Sequence, residues 1–79
     1  MGITIFMFYD DHAPPHFHAR YGEKHAMVGI NPLNRLQGDL PPGVMSLVIE
    51  WARMHNEELL GDWLLAREMQ PLKPIAPLE

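Results

Sequence analysis

Four of the five histidines in this chain fall within one short stretch, at His12, His16, His18 and His25, and the densest run reads Asp10-Asp11-His12-Ala13-Pro14-Pro15-His16-Phe17-His18. Imidazole titrates near neutral pH and is the commonest protein ligand for transition metals. Three chemistries compete for this run. In the first, His12, His16 and His18 supply nitrogens to a divalent transition metal, with His25, Asp10 or Asp11 as a fourth ligand. Three protein ligands plus water make a catalytic zinc site, and four make a structural one. In the second, His12 and His16 act without metal as general acid and base while Arg20 holds a phosphate, a constellation suited to RNA cleavage. In the third no reaction occurs, and Asp11, His12, Pro14, Pro15, His16, His18 and Arg20 line a contact surface for a protein partner.

The elements that must position these groups follow from periodicity. Ile3 to Tyr9 is β-branched and aromatic, which favours a strand. Both of its alternating faces are apolar, as suits a central strand or one covered on both sides. The prolines at 14 and 15 end it, because proline removes a ladder donor and holds the preceding residue extended.

Phe17 to Ile30 reads as a β-hairpin. Phe17, Ala19 and Tyr21 share one face of the first arm, and Ala26, Val28 and Ile30 one face of the second. These apolar sets coincide only if the numbers of paired residues sum to an odd value. A two-residue turn at Gly22-Glu23, glycine first as a type II′ turn requires, provides that register and sets Arg20 opposite His25. His16, His18, Arg20 and His25 then project from the non-core face. Same-face neighbours along a strand are about 6.8 Å apart, so His16 and His18 must lean together to share one ion.

Asn31-Pro32-Leu33-Asn34 is a turn by composition, Arg35 to Gly38 a short fourth strand, and Asp39-Leu40-Pro41-Pro42 the start of a helix. Helical spacing runs through Val44, Leu47, Val48, Trp51, Ala52 and His55, then Leu59, Leu60, Trp63, Leu64 and Ala66. Asn56 followed by Glu57-Glu58 is a fair N-cap, yet the stripe continues without a turn residue. Either one long helix kinks near His55 or two helices abut there, and the uninterrupted stripe favours the single helix with a local irregularity. On it Trp51 and Trp63 serve as core or dimer anchors, His55 is half-buried, and Glu57, Glu58, Asp62 and Glu68 form the solvated face. Pro71 to Leu78 is too rich in proline to be helical and is expected to be extended, docked across the sheet or a partner.

With 79 residues there is room for one domain: a strand-rich half (1–38), a helical half (39–70) and an extended tail (71–79). Such a chain buries only about 60–65% of its unfolded surface. It has no cysteine for a disulfide, so a metal, a homodimer interface or a partner is the remaining source of extra stability. The net charge of −4 lies wholly in the second half, since the charges of residues 1–38 cancel. No basic stripe marks a nucleic-acid binder, which leaves nucleic acid as an indirect partner or a substrate. No membrane span or signal sequence is visible, and a cytoplasmic protein is expected.

The run Asp11-His12-Ala13-Pro14-Pro15-His16-Phe17-His18-Ala19-Arg20-Tyr21 resembles the small prokaryotic family catalogued as domain of unknown function 4160. The likeness continues through Leu47 to His55, Glu58-Leu59-Leu60 and Trp63, and Gln70 to Ile75. The resemblance implies a compact α+β domain and no established activity. It also implies membership of two-gene units similar to toxin–antitoxin pairs. The expected architecture is thus α+β, a small antiparallel sheet of three to four strands with one long C-terminal helix packed on one face. The leading functional expectation is a protein-binding module in a toxin–antitoxin-like unit. The alternative is a metal-binding or histidine-based hydrolytic protein such as a small nuclease-type toxin.

Overall fold

Alternation of apolar and polar residues builds the sheet. In the computed structural model, which describes residues 2–78, it comprises β1 (Ile3–Phe6), β2 (His16–Tyr21), β3 (Lys24–Ile30) and β4 (Leu33–Asp39). All neighbours are antiparallel, in the order β1-β2-β3-β4. The β2–β3 register pairs Arg20 with His25 and Tyr21 with Lys24, as the apolar alternation requires. Gly22 opens the turn at φ 61°, a conformation that costs a glycine little.

β1 ends at Phe6 rather than Tyr9 and lies at a sheet edge, not the centre. Its two apolar faces are still used. Ile3 and Ile5 pack on the core, while Phe6, paired with His18, stacks on that histidine ring. β4 is longer than expected, because Asn31-Pro32 alone makes the turn and Ile30 pairs directly with Leu33. Gly38, at φ 73°, lets β4 close on β3, since a Cβ there would run into the His25 carbonyl oxygen.

The helical half departs from the expected single helix. α1 (Pro42–Met54) and α2 (Asn56–Arg67) are separate, joined at His55, whose φ of −116° and ψ of 26° lie outside the helical region. The apolar stripe runs through this break because both helices bury the same side: Val44, Val48, Trp51 and Ala52 from α1, and Leu59, Trp63 and Ala66 from α2. The break is held from outside the helix, where the Asn56 side-chain amide donates to the Ile30 carbonyl at 2.8 Å. Asn56 is thus a tie to the sheet and not the N-cap its neighbours suggested. His55 is half-buried as expected, its Nδ1 2.6 Å from Glu58 Oε1.

Phe17, Ala19, Ala26, Val28 and Ile30 meet these helices in one core, with the Phe17 and Trp51 rings 6.1 Å apart. The extended tail crosses beside it, with Ile75 and Leu78 packed on the cluster. Trp51 Nε1 donates to the Ala76 carbonyl at 2.9 Å, and the Lys73 N–H donates to Asp62 Oδ1 at 2.9 Å. Asp62 is therefore buried, at 6% exposure, and not on the solvated helix face with Glu57, Glu58 and Glu68. Among the described residues no helix is long and apolar enough to cross a membrane.

Candidate metal centre

His16 and His18 alternate with Phe17 and Ala19 along β2, yet neither faces water. His16 is 1% exposed and His18 5% exposed. The His16 ring, at the start of β2, lies 4.9 Å from the Trp63 ring of α2. His18 is covered by Phe6 at 5.1 Å, Phe8 at 4.8 Å and His25 at 5.2 Å, all between ring centroids. The expected solvent-facing row is corrected accordingly: only Arg20 and His25 of it are exposed.

The β1–β2 loop closes over these rings. Asp10 takes a left-handed conformation at φ 56°, which aspartate tolerates, and its N–H donates to the Ala66 carbonyl of α2 at 3.0 Å. This tie brings Asp11 to the histidines. Its Oδ2 lies 2.9 Å from His16 Nε2 and 3.5 Å from His18 Nε2, while its Oδ1 accepts from the His12 N–H at 2.9 Å and meets His12 Nδ1 at 2.9 Å. Ligand atoms of Asp11, His16 and His18 all lie within 4.8 Å of one another.

The far side of each ring is also engaged. His16 Nδ1 is 2.7 Å from the Pro14 carbonyl oxygen, and His18 Nδ1 is 3.1 Å from His25 Nε2. A carbonyl only accepts, so His16 Nδ1 carries the hydrogen. In the neutral ring that leaves the Nε2 lone pair facing a carboxylate oxygen. Two electron-rich atoms 2.9 Å apart need a positive charge between them, either a proton or a metal ion.

Electrostatics favour the ligand forms of two of these groups. Burial raises the Asp11 carboxyl, but the hydrogen bond from the His12 N–H, those from His18 and His12, and the charge of His16 together hold it below the usual 3.8. Burial also pushes His18 below the usual 6.5, aided by the charges of His16 and His25 and opposed by Asp11. A carboxylate and a neutral imidazole are the states that bind a metal.

Of the other candidates, His12 is exposed and meets the cluster through Asp11 Oδ1 and, edge-on, the His16 ring at 6.0 Å. His25 stands behind His18 and outside the three-residue cluster. Arg20 lies opposite His25, its guanidinium 5.4 Å from the centre of the Phe6 ring. Pro14 contributes its carbonyl to His16, and the Pro15 carbonyl accepts from the Ile30 N–H at 3.0 Å. Asp10 anchors the loop through its backbone. Phe6, Phe8 and Trp63, which close the walls, were absent from the sequence-based set of site residues. The apolar second face of β1 was the only signal of Phe6 and Phe8.

No curated protein and no solved structure gives a significant match to the chain. A family model does match, over residues 2–64, a span that takes in all four strands, the Asp11–His16–His18 cluster, α1 and most of α2. The chain therefore belongs to the family described as Domain of unknown function (DUF4160).

Proposed function

We propose that this protein binds a divalent transition metal through Asp11 Oδ2, His16 Nε2 and His18 Nε2, and uses it for hydrolysis. The observation that carries this reading is the convergence of three electron-donating atoms within 4.8 Å. Ligands about 2.0–2.1 Å from a tetrahedral zinc ion stand about 3.3 Å from one another. The separations of 2.9 and 3.5 Å from Asp11 Oδ2 to the two Nε2 atoms bracket that value. One metal ion would engage all three atoms at once. The Pro14 carbonyl behind His16 and the His25 ring behind His18 are the outer partners that orient metal-bound histidines. Two histidines and a carboxylate leave a fourth position for water, which a zinc ion activates near neutral pH.

Partner binding in a toxin–antitoxin-like unit draws less support, because His16 and His18, two of its contact residues, are buried. The surface left to it is His12, Pro14 and Arg20, beside Phe8 and Tyr9.

The test is elemental analysis of untagged protein purified without chelator, beside the Asp11→Asn and His18→Gln variants. About one metal ion per chain is expected in the parent, with loss from both variants while their circular dichroism is unchanged. A parent that takes up no zinc, iron or manganese on dialysis would overturn the metal reading.

A further inference from the structure

The rim of the cluster is apolar and cationic, an uncommon pairing on an acidic chain. Phe8 touches His18 edge-on yet is 55% exposed, and Tyr9 beside it is exposed too. Across β1, Arg20 spreads over the Phe6 ring on the same face as His18. Among the described residues Arg20 forms no ion pair, although Arg53 does so with Glu50. The carboxylate nearest in register is Asp39, opposite His25, and its Oδ1 is taken by the Leu40 N–H. Beside it, His25, Met27, Gln37 and Gly38 line a hollow.

An unpaired guanidinium recognises a phosphate through its planar fork of donors. An exposed aromatic ring recognises a base that is not stacked in a duplex. We propose that the substrate presented to the Asp11–His16–His18 centre is a phosphodiester in a single-stranded nucleic acid, with the phosphate on Arg20 and a flanking base on Phe8. The inference rests on the hydrolytic metal reading above. In the reaction a water oxygen bonds to phosphorus as the bond from phosphorus to the leaving sugar oxygen breaks. The proton lost by the water ends on that leaving oxygen. Duplex is excluded by the same feature, since its bases offer no free face to Phe8. The chain's net charge of −4 argues for a short contact, one or two phosphates wide, in place of a long electrostatic track.

The test is fluorescence anisotropy of labelled eight-nucleotide RNA and DNA single strands, and of the matching duplex, with full-length protein at low salt. Arg20 and Phe8 are exposed enough for Arg20→Ala and Phe8→Ala to fold. The expected result is binding of a single strand over duplex, weakened about tenfold by Phe8→Ala, the effect of losing one stacked base, and at least as much by Arg20→Ala. Tighter binding of RNA than DNA assigns the substrate to RNA, and the converse to DNA. Equal binding of duplex, or single-strand binding that neither variant weakens, would overturn the proposal. Metal content of the same preparations is read separately, so failure of strand recognition is distinguishable from failure of the metal centre.

Discussion

Asp11 shows how much one side chain decides here. Its two oxygens face three histidines, and each contact draws on a different part of the chain: the loop for His12, the start of β2 for His16 and its middle for His18. The clustering of histidines was legible from residue types alone, and Asp11 was among the candidates. Which nitrogens converge was not, because it depends on Asp10 turning left-handed and reaching α2, a tertiary contact with no local signature. The lowered His18 value carries a consequence for stability. Above 6.5 the ring is neutral folded and unfolded. As pH falls below 6.5 the unfolded chain takes up the proton first, so stability declines until the folded ring is protonated as well. Asp11 adds a second loss in acid, because its contribution is present above 3.8 and fades as pH falls through its lower folded value. The melting temperature of metal-free protein is therefore expected to drop between pH 7.5 and pH 5, measured by circular dichroism in chelator. His18→Gln is expected to flatten that slope, and a slope that it leaves intact would assign the dependence to another group.

At the scale of elements, the hairpin and the helices teach opposite lessons. The β2–β3 register was legible because an alternation of two admits only one parity of pairing, and Gly22 matched the turn that parity needs. The place of the helix break was legible from Asn56 and the acids after it, but its completeness was not, because the apolar stripe persists across His55 with no glycine or proline to interrupt it. At the junction of α1 and α2 stands the bond from Asn56 to Ile30, twenty-six residues away. Asp62 escaped for a related reason: its partner is a backbone N–H of the tail, and an acid among acids reads as solvated. If the Asn56 tie holds the helices at their angle to the sheet, Asn56→Ala should cost about 1–2 kcal/mol by orphaning the Ile30 carbonyl. Met54→Ala, two residues earlier at the exposed end of α1, should stay within about 0.5 kcal/mol. Urea denaturation of the two variants measures the difference, and equal midpoints would mean that packing of Leu59 and Trp63 alone sets the break.

For the whole molecule, the issue is how 79 residues without a cysteine hold a buried polar centre. The core is one layer of strand side chains under two short helices, with the tail as its third wall. Beside it the sheet buries His16 and His18 in place of aliphatic residues, and these contribute only if their polar atoms are satisfied. The metal ion proposed for this centre would resolve that tension by binding the folded state alone, since Asp11 and His16 belong to a geometry that the unfolded chain lacks. At a free concentration one hundred times its dissociation constant, such an ion stabilises by about 2.7 kcal/mol. In a domain of this size each kcal/mol moves the midpoint by about 4–8 °C. Zinc added to chelator-stripped protein is therefore expected to raise the melting temperature by at least about 10 °C, as read by scanning fluorimetry. Asp11→Asn should abolish the rise, on a metal-free midpoint below that of the parent, because the amide keeps the size of the side chain but loses the charge whose contribution is present above 3.8. A parent that melts at the same temperature with and without zinc would instead make the proton between His16 and Asp11 the charge that holds the cluster, and the centre a buried ion pair.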